Sequence, residues 1–391
     1  MNLRARDGER LALAGVVAAV LLAQVAIYPG VPDVAAALGL EHSEAAERWF
    51  LAAEFAAFIV FAPVWGAVSD RLGSRVPLIA AGALGGAVGY ALLAAVGLGI
   101  FTLDPIGVYG LRVLQGALTV GAFSLAITML SDLPGGHGRN MGAAGLAVGT
   151  GTAIGAPLGG RLADADPLFP LYLAAALLAA VGILVLVVPD RAPTGDRSLR
   201  DALGVLRDHR ELAVPFAFGF ADRFTAGFFA LVGTLYFREV WGLDAGATGL
   251  TLALFFAPFA LLQYPFGVLS DRIGRVKPVA GGSALYGLAV VAVGLAPTLG
   301  TSQAGMVAVG ILGALMAPAT FALTTDLAPD DGRGVALAGF NAMGSLGFLV
   351  GIVGGGILAE RSGYDTAFLT AGGFEVLLAL VMLPALLRLS R

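Results

Sequence analysis

The chain has 391 residues, 58% of them hydrophobic and only 13% charged, with 57 glycines, no cysteine and a net charge of −4. An ordinary globular protein is roughly a quarter charged, so this composition describes an integral membrane protein whose many glycines suit helices packed closely in lipid. The absence of a basic patch beyond short loops argues against nucleic acid as a partner, and the absence of thiols excludes disulfides, thiol catalysis and Cys-ligated metals.

Twelve apolar runs, each near the ~20 residues that cross a hydrocarbon core, follow one another along the chain. The first six fall near 11–39, 48–69, 76–98, 105–131, 141–163 and 168–188. Span 1 follows Arg4, Arg6 and Arg10 as the core of a secretory leader would, but its apolar stretch is too long for one. It is expected to remain as a membrane helix. Between spans 2 and 3 stands "GAVSDRLGSRVP", Gly66 to Pro77; span 4 carries "RVLQG" at 112–116 and span 5 carries "GAPLGG" at 155–160. Residues 189–212 form a long polar interval. Leu199, Leu203 and Leu206 fall on one helical face there, with Arg200, Arg207 and Arg210 on the other. That pattern suits a short amphipathic helix on the inner leaflet or, equally, a solvated tether.

Six more spans follow near 213–238, 246–270, 276–298, 303–326, 334–360 and 366–387. Seventeen of the 23 basic residues fall on the side shared by the two termini, four (Arg48, Arg161, Arg238 and Arg361) fall on the other, and Arg112 and Arg223 lie within spans. By the positive-inside rule this puts both termini in the cytosol.

The second half repeats the first. "GVLSDRIGRVKP", Gly267 to Pro278, matches the first hairpin, with Asp271 following Asp70 at an offset of 201. "SDLPGGHGR" at 131–139 matches "TDLAPDDGR" at 325–333 at an offset of 194, and "GTGTAIGAPLGG" is echoed by "GSLGFLVGIVGGG". The expected architecture is an all-α membrane protein with twelve transmembrane helices in two pseudo-symmetric six-helix bundles. The first bundle is 1–188, the linker 189–212 and the second bundle 213–391. Paired bundles of this kind support alternating access around a midplane site.

These residues also carry a family resemblance. "GAVSDRLGSR" resembles the G-x-x-x-D-R-x-G-R-R signature of the major facilitator superfamily, and "GVLSDRIGR" its second-half copy. "RVLQG" resembles the R-x-x-Q-G motif of span 4, and "GAPLGG" the G-P-x-x-G-G motif of span 5 in the proton-coupled antiporters. Two departures stand out: Ser74 replaces a basic residue, and Pro157 sits one place later than the antiporter motif has it. The resemblance implies that Asp70 and Asp271 latch an inner gate, with Arg71, Arg75, Arg272 and Arg275 adding ion pairs and lipid contacts. Gly66, Gly73, Gly267 and Gly274 would permit the packing and the turns. It further implies that Gly151, Gly155, Pro157, Gly159 and Gly160 form a helix-packing motif, and that spans 1, 4, 7 and 10 line the cavity.

Ionisable groups inside spans are costly and are functional candidates by default. Glu54 and Asp222 are the candidate proton carriers, with Arg112 and Arg223 as the cations that bias them; a structural ion pair is the plainer alternative for each. Glu375 lies in span 12, which the resemblance puts outside the cavity, and is expected to be structural. Gln24, Tyr28, Gln115, Gln263 and Tyr264 are the uncharged polar candidates for the cavity. Phe216, Phe218, Phe220, Phe224, Phe228 and Phe229 crowd span 7, followed by Phe255, Phe256 and Phe259 in span 8. So few polar groups among so many rings suit a lipophilic or cationic compound better than a sugar. His42, His137 and His209 show no metal-ligand pattern.

The resemblance implies a secondary transporter of the cell membrane that exports a small hydrophobic or cationic compound in exchange for protons. The expected partners are that compound, protons and membrane lipids, with a monomer as the working form and neither cofactor nor metal. The alternatives are import or facilitated exchange of a metabolite or organic anion held by Arg112 and Arg223, and a non-transporting membrane sensor. No nucleophile elbow, phosphate loop or metal motif suggests an enzyme.

Overall fold

Lipid offers no hydrogen-bond partner, so a backbone that crosses it satisfies its amides within helices or within a closed barrel. The computed structural model describes residues 3–41, 43–134, 137–190, 207–329 and 332–389, and these are helical with no strand among them. Helix α1 runs Leu3–Val25 and continues through a 3-10 turn at Tyr28–Gly30 into Val31–Ala37. It is followed by α2 (Glu44–Leu72), α3 (Val76–Gly97), α4 (Pro105–Ser131), α5 (His137–Ala165) and α6 (Phe169–Leu184). Next come α7 (Ala213–Phe228, extended by a π turn at Phe229–Gly233 and by Thr234–Glu239), α8 (Ala245–Ile273), α9 (Val276–Gly294) and α10 (Leu299–Leu327).

The last helical run, Arg333–Leu389, has 57 residues, on the order of 85 Å if straight against a hydrocarbon core of about 30 Å. Gly363, at φ 81° and ψ 165°, divides it into α11 (333–362) and α12 (364–389). Ten helical runs meet the length and apolarity of a membrane crossing, with 335–389 counted as one. Division at Gly363 and inclusion of the glycine-rich α5 give twelve helices among the described residues. Helix starts are marked by local chemistry: Ser43 Oγ accepts from the Ala46 amide at 3.2 Å, and Asp104 Oδ1 from the Gly107 amide at 2.8 Å. Thr298 and Thr301 form a reciprocal capping box at α10, satisfying donors that the helix itself leaves free.

The helices gather into two compact units. The first holds the described residues of α1–α6 together with Phe237–Ala253; the second holds those from 207 to Tyr236 and from Leu254 onward. The end of α7 and the start of α8 thus cluster with the first unit. The leucine–arginine pattern of the interval 189–212 falls chiefly at 191–206, outside the described residues.

Each unit is zipped by a glycine stripe. Gly151, Gly155 and Gly159 recur every four residues and so share one face of α5. They meet Ala18, Leu22 and Ala26 of α1, which carry the same spacing. A methyl group on Gly151 would stand 2.6 Å from the Ala18 carbonyl oxygen, and one on Gly155 would stand 3.0 Å from that of Leu22. In the second unit Gly347 and Gly351 of α11 meet the carbonyls of Phe220 and Phe224, and Gly355 meets the Phe228 ring. Backbones at this separation gain dispersion along their whole length, which is how helices associate where water supplies no drive. Pro157 lies inside α5, and Gly160 turns instead toward the Ala245 carbonyl.

Candidate functional site

The polar core of the first unit is built on α2, α3 and α4. Gly116 lets α4 press against the α2 backbone, its absent side chain only 3.0 Å from the Glu54 carbonyl oxygen. That approach brings two ionised groups together in a dry interior. Arg112 Nη2 donates to Glu54 Oε2 at 2.7 Å, and both side chains are 0% exposed. Arg112 Nη1 donates to Gln115 Oε1 at 2.7 Å, Gln115 Nε2 to Glu54 Oε1 at 3.3 Å and to Thr119 Oγ1 at 2.8 Å. The Tyr90 hydroxyl of α3 donates to Glu54 Oε1 at 3.1 Å. The guanidinium also stacks against Phe50 at 4.7 Å and Tyr90 at 5.4 Å, where the ring quadrupoles favour a cation. Glu54 therefore receives a cation, an amide and a phenol, while the Arg112 Nε hydrogen meets no acceptor.

Chemically this is a charge pair held where charge is expensive. A buried pair survives only when further hydrogen bonds complete it, and a proton on Glu54 would cancel its attraction for Arg112. The sequence signal for Glu54, Arg112 and Gln115 was direct, because such residues are rare in apolar spans. Tyr90, Phe50 and Thr119 gave none, being ordinary occupants of a membrane helix.

The second unit places Asp222 and Arg223 differently from each other. The Asp222 side chain is 12% exposed and that of Arg223 is 51% exposed, with Arg223 Nε 3.8 Å from Asp222 Oδ2. A third acid, Glu375 of α12, is 0% exposed. It accepts from Ser283 of α9 at 2.8 Å and from Thr225 of α7 at 3.3 Å. Glu375, expected to be structural from its span, has partners that are hydroxyls of common type, which no motif marks.

The expected cavity residues divide. Gln115 is committed to the Glu54 network, Tyr28 is buried one helical turn after Gln24, and the Gln24 Nε2 group is buried without an acceptor. Gln263 is half-buried and Tyr264 is 80% exposed. The rings expected to line an apolar cavity behave otherwise. Phe218, Phe228, Phe229, Phe255 and Phe256 are buried in the second unit's interior. Phe228 and Phe229 pack edge-on, and Phe229 reaches Phe255 with ring centres 5.7 Å apart. Aromatic pairs of this geometry hold one another, so these five fill the core. Phe216, Phe220, Phe224 and Phe259 stay half-buried.

In the hairpins, Gly73 (φ 60°) and Gly274 (φ 83°) end α2 and α8 in the left-handed conformation that lacks a steric cost only for glycine. Gly66, expected to serve close packing, has no atom within 4 Å of where a Cβ would stand, and Gly267 has only Pro318 at 3.7 Å. The close approach on α2 is made instead by glycines of α4, Gly116 against Glu54 and Gly121 against the Trp65 ring. Arg75 donates to Asp132 at 2.6 Å, and Arg275 donates to Asp326 at 3.1 Å and to Asp271. Asp70 makes no hydrogen bond or ion pair to a described residue, while Arg71 and Arg272 are exposed. Asp132 and Asp326, the acids these arginines meet, stand in the repeated segments at 131–139 and 325–333. Ser74 has a use of its own: its hydroxyl donates to Asp190 at 2.5 Å, and that carboxylate also accepts the Arg75 and Val76 amides at the start of α3.

The description Major Facilitator Superfamily belongs to the family model that matches residues 13–237 and again 215–391. The tetracycline resistance protein, class C, of Escherichia coli is 28% identical over 346 residues, 84% of this chain and 83% of that protein. An uncharacterized MFS-type transporter of Methanocaldococcus jannaschii is 30% identical over 166 residues; the match takes in 41% of this chain and spans 42% of that relative's length. Among solved structures, a bacterial homolog of the human lysosomal transporter Spinster superposes with a TM-score of 0.79 over 100% of this chain and 98% of that one. At 15% identity that likeness shows the fold alone.

Proposed function

Because the chain belongs to the major facilitator superfamily, we propose that it is a secondary transporter that moves a small hydrophobic or cationic compound out of the cell in exchange for protons. The observation that carries this reading is the Glu54–Arg112 pair, two fully buried opposite charges at 2.7 Å. Ionised Glu54 holds Arg112, and protonated Glu54 releases it. The two protonation states thus differ in what fixes α2 to α4, and a ligand shifts a conformational equilibrium only through such a difference. Asp222, mostly buried beside a half-exposed arginine, is the second acid able to load a proton. The likeness to a tetracycline resistance protein over most of both chains supports efflux. The distribution of arginines supports cytosolic termini in the cell membrane of its source, and residues 1–188 and 213–391 serve as the two bundles that alternate access. Transport of an organic anion held by Arg112 fits less well, since both Nη groups are already bonded; Arg223 would have to serve alone.

The test uses purified protein in liposomes with a pH-sensitive dye and an imposed proton gradient. Lipophilic cations are expected to trigger proton movement that is lost in Glu54→Gln or Asp222→Asn. Unchanged movement in both variants would refute these acids as carriers. Proton-independent anion flux that disappears in Arg223→Ala would replace the proposal with the facilitator.

A further inference from the structure

The second unit buries a carboxyl for which the charge pair of the first unit has no counterpart. Glu375 is 0% exposed and its two oxygens accept only hydroxyls, Ser283 at 2.8 Å and Thr225 at 3.3 Å. Among the described residues it has no arginine, lysine or histidine partner. Glu54 has a guanidinium, an amide and a phenol; Glu375 has two neutral donors. An ionised carboxylate in that setting carries the full cost of desolvation without a counter-charge, a cost that proteins avoid by leaving the group neutral.

Its neighbours on each packed helix are few. From α7 come Asp222 and, one residue on, the outward-turned Arg223. Asp222 and Thr225 are three residues apart and share a helix face, so Asp222 lies one turn from the hydroxyl that Glu375 accepts. From α9 comes Tyr286, 0% exposed. Its hydroxyl is buried and meets no partner in hydrogen-bond geometry among the described residues. The ionisable residue of α10, Asp326, lies at that helix's far end and is paired with Arg275; those of α11 lie at its two ends. Among the described residues Asp222 is the acid on the adjoining face of α7, and no positive charge pairs with Glu375.

We propose that Glu375 is a proton-binding site of the second unit, its carboxyl held neutral between the Ser283 and Thr225 hydroxyls. Asp222 is partly open to its surroundings, whereas Glu375 is fully enclosed. The step is balanced: a proton taken from water adds to one Glu375 oxygen, leaving the carboxyl neutral, and returns to water when the site empties. Two acids that repel when both are ionised hold one proton more readily than either would alone. The inference builds on the proton-coupled reading above, and it names an acid outside that reading's carriers.

The test is infrared difference spectroscopy of the full-length protein in lipid, titrated between about pH 5 and pH 9 and read at the carbonyl band of protonated carboxyl groups. A band present in the wild type and in Glu54→Gln, and lost in Glu375→Gln, is the expected result. Asp222→Asn and Ser283→Ala are each expected to displace the pH at which that band disappears. A spectrum unchanged by Glu375→Gln overturns the assignment. If that variant does not fold, an unmoved midpoint in Ser283→Ala overturns it equally. Loss of the band on adding sodium at fixed pH would also overturn it, in favour of a sodium site. The band needs no substrate, so it separates the two proposals. Band present without coupled flux fails only the exporter, and coupled flux without the band fails only the Glu375 site.

Discussion

A guanidinium and a carboxylate respond differently to losing each other in a dry interior. Glu54 deprived of Arg112 can take up a proton and become neutral; Arg112 deprived of Glu54 stays charged, because it does not deprotonate in proteins. The larger penalty should therefore fall on Glu54→Gln, at about 3–5 kcal/mol, the range for breaking a buried pair. The double variant Glu54→Gln/Arg112→Gln should recover at least half of that loss. Thermal melting in detergent measures both, and a double variant no more stable than the single one would show that the pair does not couple in this way. Legibility at this scale follows chemistry. Glu54, Arg112 and Asp222 stood out in the sequence because a charge in an apolar run demands a reason. Tyr90 and Phe50 were hidden because a ring in lipid demands none, and Glu375 stood out but without its partners, which lie 92 and 150 positions away.

Helices were readable from apolar length, since the hydrocarbon core imposes it. What the pattern does not carry is how each helix is interrupted or met. The π turn at Phe229–Gly233 and the break at Gly363 depend on backbone geometry that hydropathy does not encode. Phenylalanines that looked like a cavity lining became core, because ring partners come from other helices. Glycine stripes were partly legible, as spacing, but their opposing faces were not. They yield a prediction at this scale. Gly351→Leu would force a side chain into the Phe224 carbonyl and should cost at least the ~1–3 kcal/mol of an overpacked core. Gly373→Ala, with no atom within 4 Å of the new methyl group, should leave stability unchanged or raise it by up to about 1 kcal/mol. Melting temperatures of the two variants decide this; equal losses would mean that helix propensity, and not contact, sets the glycine content.

At the scale of the whole molecule, the two halves share a scaffold and differ in what they mount on it. Gly116 presses on Glu54 in the first unit, and Gly310 presses on Phe255 in the second, so a carboxylate is replaced by a ring at the equivalent contact. The acid each half encloses comes from α2 in one, where Tyr90 donates to it, and from α12 in the other, where Ser283 and Thr225 do. The repeat itself was visible in the sequence. Its unequal use was not, because it depends on which helix reaches across. The hairpins show the same inequality. Arg75 is 4% exposed and rests on Asp132, whereas Arg275 is 23% exposed and shares Asp271 with Asp326. Asp132→Asn should therefore cost about 1.5–3 kcal/mol, as for a hydrogen bond to a buried charge. Asp326→Asn should stay under about 1 kcal/mol, as for an exposed pair. Chemical denaturation of the two variants checks the order, and a reversed order would mean that burial does not govern these pairs.

One residue separates α11 from α12, and this bears on how the protein is made. Most neighbouring helices are joined by several residues that the insertion machinery must deliver to one face of the membrane. Between these two there is only Gly363, with Glu360, Arg361 and Asp365 as the charges close by. The pair has no loop of several residues to be carried over, so a helical hairpin is the unit that would enter the bilayer. An epitope or protease site added at 363 would give that hairpin a polar load that the native chain never presents.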